Sequence, residues 1–578
     1  MLAQAFALRR GPMCPIATES TAGARRGADA QSRSRRPPGR MCEPDDGGPN
    51  IPPVIENTRR APGTRSHVQL PATLEIVAAA LPVVLLGTLV VWRRWALTRA
   101  GWFSLGIAVL VALGAAGLDA TGLAVAVGKG AWTGGWILLI VVPALLVYEL
   151  VQRAGALARL SEELGRLAGT KARQLLLFAW TVPSFVQGVA GFGVPIVVAA
   201  PMLVAAGFAP AAAIAAVLVG YHWSVTFGSM GSSFFVAAGT AELTVTETAR
   251  FALLASSLLA VNALLAGLLL LRRAGPDGGA RGAILPLVVT AVAMGSVLVG
   301  VAAVQPALGS TAAGLAGVVV LALFLRRGGG RVSPRPLALA AAPYAGLTLL
   351  VVVAFGVPPV RELLARVPTL APSFPATTTD FGERAAVAAH QPFDPLLHPW
   401  IYLLAIAFVA WAGYRLLGWL PPGEGRAALA GWATRGRKTA ASLLGLTILA
   451  AVMVEAGLVS RLAEAFVAAL GPGFAAISPV LGALGTAVTG STTASNALLA
   501  PLQAGAADQL GADMAAMLTG QTAGGNVGNA LTPLNVAIAA GAVGATGEEG
   551  AIIRDASKDA VPLLVLAAVA TTALVWLL

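Results

Sequence analysis

Thr489, Ser491, Thr492, Thr493, Ser495 and Asn496 fall within eight positions of an otherwise apolar run. Hydroxyls and a primary amide at that density can hold a carboxylate through neutral donors. The string "QTAGGNVGNALTPL" from Gln521 adds Thr522, Asn526, Asn529 and Thr532, with Gly524 and Gly525 between them and Asn535 directly after it. Two earlier strings also carry glycines. "FVQGVAGFGVPIVVAAP", residues 185–201, carries Gln187, Gly188, Gly191 and Gly193, and "YHWSVTFGSMGSSF" from Tyr221 carries His222, Thr226 and Ser229. A single Ser or Thr in a membrane helix can be explained by a bond to its own backbone. Six polar residues clustered at a glycine exceed that need. His222 is the one side chain in these four strings that titrates near neutral pH. An imidazole that changes charge near neutral pH suits a proton carrier, and the competing account is a neutral histidine hydrogen-bonded within a helix bundle.

The strings are spaced as copies. Gly188 aligns with Gly490 at a separation of 302, and Tyr221 with Gln521 at 300, which sets His222 opposite Thr522. Two landmarks with nearly one offset indicate an internal duplication. Paired apolar segments interrupted by Gly and Pro in corresponding halves are a pointer to the midplane binding site of a secondary transporter. Irregular backbone cannot face lipid, because each unpaired amide or carbonyl there costs several kcal/mol; it must be buried in protein or line a wet cavity. Half-helices ending at such a cavity aim free N–H groups and positive dipole ends at it, a cradle for an anion. The alternative is that the glycines serve close helix packing.

The elements that must position these residues are membrane spans. The chain has 578 residues, 57% hydrophobic and only 11% charged, which excludes an ordinary water-soluble globule. Apolar runs long enough to cross a bilayer occur at 72–92, 101–120, 134–151, 174–220, 251–271, 283–304 and 308–325, then at 337–357, 398–420, 440–457, 463–500, 512–546 and 560–578. Those at 174–220, 463–500 and 512–546 are broken by Gly and Pro. The expected fold is therefore all-α, a polytopic membrane protein of two repeat-related halves with broken or re-entrant helices. The expected bounds are a membrane domain over 71–578, repeat one over 134–271 and repeat two over 437–578.

Residues 1–70 differ, with 11 Arg against 6 Asp plus Glu and no apolar periodicity. They read as a disordered basic tail without a secretory signal, or as a start assigned too early, with Met41 as another start. Cys14 and Cys42 lie in this tail and support neither a metal site nor a disulfide. The formal charge of +12 sits mostly in the tail and in loops beside spans, where orientation explains it better than nucleic acid does. The connection 358–397 lacks the Arg excess of the other long connections and is assigned to the outside. Asp119, Lys129 and Glu149 fall near expected span ends and read as interfacial groups reaching water, whereas Glu455 lies deeper and needs a reason.

The strings named above, with "GGWILLIVVPALLVYELVQRAGAL", "TGSTTASNALLAPLQ" and "NVAIAAGAVGATGEEGAIIRDASKDA", resemble the L-lactate permease family of bacterial lactate and glycolate symporters over nearly the whole membrane domain. The resemblance implies a plasma-membrane carrier that takes up a small 2-hydroxymonocarboxylate with a proton, with no cofactor and no metal. It implies a substrate site among Gln187, Gly188, Gly191, Gly193, Thr226, Ser229, Ser491, Thr492, Thr493, Ser495, Asn496, Thr522, Gly524, Gly525, Asn526 and Asn529. The family pattern has acidic residues in the places of Gln187 and Thr492 and a lysine in that of Asn529. This chain is neutral at all three, so another organic anion or sodium coupling stands as the alternative, with His222 as candidate replacement proton carrier. A membrane-embedded enzyme has little support: there is no HExxH pattern, and "GLAVAVGKG" has the wrong spacing for a phosphate-binding loop. A passive channel is disfavoured by the paired breaks.

Overall fold

The computed structural model describes residues 71–578 except 94, 157, 158, 160–168, 190, 192, 276, 277 and 327–333. The basic tail expected over 1–70 lies outside the described residues. Among the described residues ten helices are long and apolar enough to cross a membrane. The chain is an all-α multi-pass membrane protein whose only β-structure among those residues is a two-stranded hairpin, Thr377–Thr379 with Gly382–Arg384, and two isolated bridges.

The helices are α1 (Ala72–Val91), α2 (Leu97–Gly114), α3 (Ala120–Arg153), α4 (Lys171–Leu175), α5 (Val182–Val189), α6 (Val194–Ala205), α7 (Pro210–Tyr221), α8 (Ser232–Thr240), α9 (Val245–Arg273), α10 (Ala280–Ala302), α11 (Gly309–Arg326) and α12 (Pro334–Gly356). They continue with α13 (Pro358–Leu364), α14 (Pro399–Leu416), α15 (Glu424–Glu455), α16 (Leu458–Leu470), α17 (Phe474–Thr489), α18 (Thr492–Leu510), α19 (Met514–Asn529), α20 (Pro533–Val543) and α21 (Glu549–Leu577). Their starts are chemically marked. The Asp119 carboxylate accepts from Gly122 N at 2.6 Å, Asp513 from Ala516 N at 2.7 Å, and Thr244 with Glu247 forms a reciprocal capping box. Between α4 and α5, residues 176–181 form a π-helical turn in which the Thr181 hydroxyl donates toward the carbonyls of Leu176 and Leu177. Such turns are frequent at functional sites.

The duplication extends through the helix bounds. α2 and α14 start 302 residues apart and are both 18 residues long, and α9 and α21 start 304 apart and are both 29 long. The pairs α3/α15, α6/α18, α7/α19 and α8/α20 start 298 to 304 apart. We propose that the duplicated unit covers 97–273 and 399–577, wider than the expected 134–271 and 437–578. The copies face opposite ways: α3 and α15 lie antiparallel, with Lys129 bonded to Glu455 at one end and Glu149 to Arg435 at the other. Antiparallel packing of corresponding helices is the signature of inverted-topology repeats.

Two expectations change. Lys129 and Glu149 are not groups reaching water: both are 3% exposed, and at 1.5 Å per residue they sit about 30 Å apart on α3, one near each face of the hydrocarbon core. Asp119 is exposed at the start of α3, as expected of a group reaching water, and it also caps that helix. The basic stretch ending at Lys438 is not a loop, since α15 starts at Glu424 and carries Arg426, Arg435, Arg437 and Lys438 on its first turns.

Candidate functional site

Four helix breaks meet. One lies between α5 and α6, where Gly191 and Gly193 take φ of 56° and 81°; another is at Gly490, φ 78°, between α17 and α18. These left-handed values suit glycine. The third, between α7 and α8, holds Ser229, Met230 and Gly231 at φ of 47°, 56° and 72°. Two consecutive non-glycine residues there are strained, as is common at binding sites. The amides of this bend are not left bare: Ser229 N donates to Gln187 O at 2.8 Å and Met230 N to Gly188 O at 3.2 Å. One interrupted segment thus satisfies the carbonyls freed by the end of another, as lipid-embedded backbone requires. The fourth break separates α19 from α20.

The pairing is crosswise. Thr226 and Thr522 hydroxyls are 2.8 Å apart, Thr226 donates to Asn526 Oδ1 at 3.0 Å, Asn526 Nδ2 to Trp223 O at 3.3 Å, and Asn529 Nδ2 to the Tyr221 hydroxyl at 3.0 Å. As one partner falls from 226 to 221 the other climbs from 522 to 529, so these stretches run antiparallel. α18 meets α8, with Asn496 Nδ2 donating to Ser233 O and Oγ at 3.1 and 3.0 Å. The break residue Gly193 faces Asn535 and Ile538 of α20.

At the centre is a cavity of about 40 Å³ with twelve lining residues: Gln187, Gly193, Tyr221, Val225, Ser229, Ser232, Gly490, Ser491, Thr492, Thr493, Asn529 and Asn535. It is polar enough and large enough for a few waters, and none of its lining residues carries a formal charge. Its geometry is set by helix ends. Gly193 caps α6, Ser232 opens α8, Ser491 caps α18 and Asn535 stands in the first turn of α20. Four helix N-termini therefore border one small cavity and place partial positive charge beside it, although some first-turn amides are already used: Phe234 N donates to Thr226 O and Ala494 N to Ser491 Oγ. What the arrangement can do is hold an anion without a side-chain cation.

Of the residues expected at the site, Gln187, Gly193, Ser229, Ser491, Thr492, Thr493 and Asn529 line this cavity. Thr226, Ser495, Asn496, Thr522 and Asn526 form the buried polar network behind it, with Gln521 Nε2 donating to Ser495 Oγ at 3.2 Å. Gly188, Gly191, Gly524 and Gly525 are not among the lining residues. Gly188 lies against the Thr311 backbone, Gly191 against the Ser229 side chain, Gly524 against Pro479 O, and Gly525 against the Thr492 methyl. His222 is fully buried; its Nδ1 contacts Val219 O at 2.7 Å, its Nε2 has no partner, and it follows Tyr221 rather than lining the cavity itself. His222 opens the bend after α7, whereas Thr522, its mate in the sequence alignment, lies inside α19 and meets Thr226. Tyr221, Val225 and Ser232 line the cavity without having been expected there.

The sequence profile of the L-lactate permease family matches residues 75–578. L-lactate permeases from Salmonella typhi and Bacillus subtilis are 27% and 24% identical to the chain. They align over 77% and 86% of it, and over 84% and 95% of their own lengths. The glycolate permease GlcA of Escherichia coli is 24% identical over 83% of the chain and 92% of itself. Among solved structures, the Alcanivorax borkumensis YdaH transporter superposes with a TM-score of 0.43 at 18% identity, covering 79% of this chain and 89% of that one.

Proposed function

From the premise that this chain belongs to the L-lactate permease family, and so is a permease and not an enzyme, we propose that it carries a small 2-hydroxymonocarboxylate of the lactate and glycolate class across the bacterial inner membrane, driven by a proton gradient. The observation that carries this reading is the convergence of four half-helix N-termini on one neutral polar cavity. A carboxylate fits that field, since oriented backbone dipoles and N–H donors stabilise an anion without a countercharge. The hydroxyls of Ser229, Thr492 and Thr493 and the amides of Gln187 and Asn529 supply donors and acceptors for the second, uncharged end of a hydroxy acid. A cavity this small encloses its cargo only after the bordering helices part. Rocking of one inverted repeat against the other would open it to each side in turn. In this reading the connection 358–397 faces outward, and affinity is modest because no ion pair holds the substrate.

The test is uptake of radiolabelled L-lactate into proteoliposomes with an imposed pH gradient, with glycolate, pyruvate and dicarboxylates as competitors. Gradient-dependent L-lactate uptake that glycolate inhibits is the expected result. Dicarboxylate uptake without lactate uptake rejects the reading, and dependence on a sodium gradient in place of a proton gradient replaces the coupling ion. His222 is proposed as a proton acceptor beside the cavity. In His222→Gln, lactate accumulation driven by the pH gradient is expected to collapse while exchange of internal for external lactate persists; an unchanged proton dependence removes His222 from the mechanism.

A further inference from the structure

A second polar site lies along α8 from the cavity. α8 begins at Ser232 in the cavity wall and ends at Thr240, a distance of about 12 Å at 1.5 Å per residue. Around its C-terminal end stand Lys129, Glu455 and Glu242. Lys129 Nζ bonds Glu455 Oε1 at 2.5 Å and lies 3.6 Å from Glu242 Oε1. Lys129 and Glu455 are 3% and 1% exposed. Among the described residues Lys129, Glu149 and Glu455 are the Lys, Arg, Asp or Glu residues that count as buried, and no step described so far uses the Lys129 pair.

The pair is roofed by the 358–397 connection. The Thr377 hydroxyl donates to Glu455 Oε2 at 2.7 Å, and the Thr133 hydroxyl is 3.0 Å from His390 Nε2. Beside it is a polar vestibule of about 310 Å³ whose walls include Glu242, Glu383, Arg384 and Asp508. The vestibule shares Thr240, Glu242 and Val454 with the small pocket around Lys129, so the two are contiguous. Four non-glycine residues have positive φ among the described residues: two in the cavity bend, and the other two, Glu242 at 54° and Gln391 at 40°, here. Backbone strain thus concentrates at the cavity and at this mouth.

We propose that the Lys129–Glu455 pair is a second substrate site, at the mouth of the carrier: the carboxylate of an incoming monocarboxylate replaces Glu455 on the Lys129 ammonium, and Glu455, as it is displaced, takes up a proton that enters from the aqueous phase with the anion. The inference rests on the reading above that the cargo is a monocarboxylate. A buried ion pair resists losing one partner, because the charge left behind is uncompensated. Adding an anion without a proton would leave Lys129 between two carboxylates, and adding a proton without an anion would leave it facing none at that position. Arrival of both keeps the pocket's charge constant, so proton and anion bind together. The groups turned toward Glu455 are Lys129 on α3, Glu242 beyond the end of α8, and His390 in the connection, with Arg384 behind Glu242 at 3.9 Å. Burial holds the His390 imidazole below its ordinary pKa, so at neutral pH it is uncharged and does not supply the anion's countercharge. Lys129 also stands at the carbonyl end of α8, where a cation is favoured, while the opposite, N–H end borders the cavity. An anion leaving Lys129 therefore moves along α8 toward its positive end.

The experiment uses the full chain in proteoliposomes with Glu455→Gln and the charge-balanced double variant Lys129→Gln/Glu455→Gln. The double variant removes both buried charges together, so its folding is not burdened by an unpaired one. Its thermal melt in detergent serves as control. In Glu455→Gln, lactate exchange is expected to lose its pH dependence and gradient-driven accumulation to vanish. In a folded double variant KM for L-lactate is expected to rise about tenfold, the weight of one charge-assisted contact. Wild-type KM and pH profile in a folded double variant would show the pair to be structural and overturn the proposal. Infrared difference spectra of the wild type with added L-lactate or acetate give a readout that does not need transport. A protonated-carboxyl band that appears with the anion and is missing in Glu455→Gln supports the mouth site even if lactate is not the cargo; its absence with both anions overturns it.

Discussion

Gly524→Ala is expected to disrupt the carrier, because the added methyl group would meet backbone rather than a movable side chain. α17 and α19 touch backbone to backbone: a Cβ built on Gly524 would lie 1.8 Å from Pro479 O, one on Gly482 2.0 Å from Gln521 O, and one on Gly528 2.3 Å from Ala483 O. No side-chain rotation relieves a clash with a carbonyl, so the helices must separate. Overpacking of this kind costs about 1–3 kcal/mol or more, and here the shift would carry Thr522, Asn526 and Asn529 away from Thr226, Trp223 and Tyr221. The same contact recurs in the other repeat, where a Cβ on Gly220 would lie 2.0 Å from Ala179 O. Gly220→Ala is therefore expected to act alike, and Gly541→Ala, with nothing within 4 Å, to be nearly silent. Thermal unfolding of the detergent-solubilised protein, followed by uptake, checks this. A Gly524→Ala protein with wild-type melting and transport would mean that α17 and α19 are not so close.

Asn529→Asp is expected to stop transport at neutral pH while leaving the fold in place. Asn529 stands in the cavity wall, donates to the Tyr221 hydroxyl at 3.0 Å and accepts from Asn535 Nδ2 at 2.9 Å. An aspartate has nearly the same shape, can accept from both partners, and so retains the local bonds. What changes is charge: a carboxylate then occupies the field of the four helix N-termini and repels the substrate's own. Two like charges a few ångströms apart at an effective dielectric of about 20 repel by a few kcal/mol, so the loss in uptake is expected to be about a hundredfold or more. Activity should partly return as the medium is acidified and the new carboxyl is protonated. Wild-type KM at neutral pH in a protein of normal melting temperature would show that the cargo does not bind in this cavity.

Much of the site could be read without coordinates, because in a membrane polar residues and helix breakers stand out against an apolar background. Gly191, Gly193 and Gly490 mark where the chain turns, and the cluster from Thr489 to Asn496 marks the wall. The glycines nonetheless divide by role in a way composition does not reveal. Gly193 borders the cavity, whereas Gly188 and Gly524 let neighbouring backbones touch. Both demands select the smallest residue, and only the position of the neighbour tells them apart.

The charged residues show the limit from the other side. Lys129, Glu149 and Glu455 are separated by 20 and 306 positions, and nothing local signals that Lys129 and Glu455 form a buried pair or that Glu149 is held by Arg435. Hydropathy, the paired breaks and the offset near 302 are properties of the one-dimensional chain, and they determined a polytopic helical protein of two copies with interrupted spans. Which copy faces which, which helix ends share a cavity and which charges meet depended on the antiparallel docking of the repeats. That docking is decided by packing between residues hundreds of positions apart, and the order of residues along the chain carries no direct record of it.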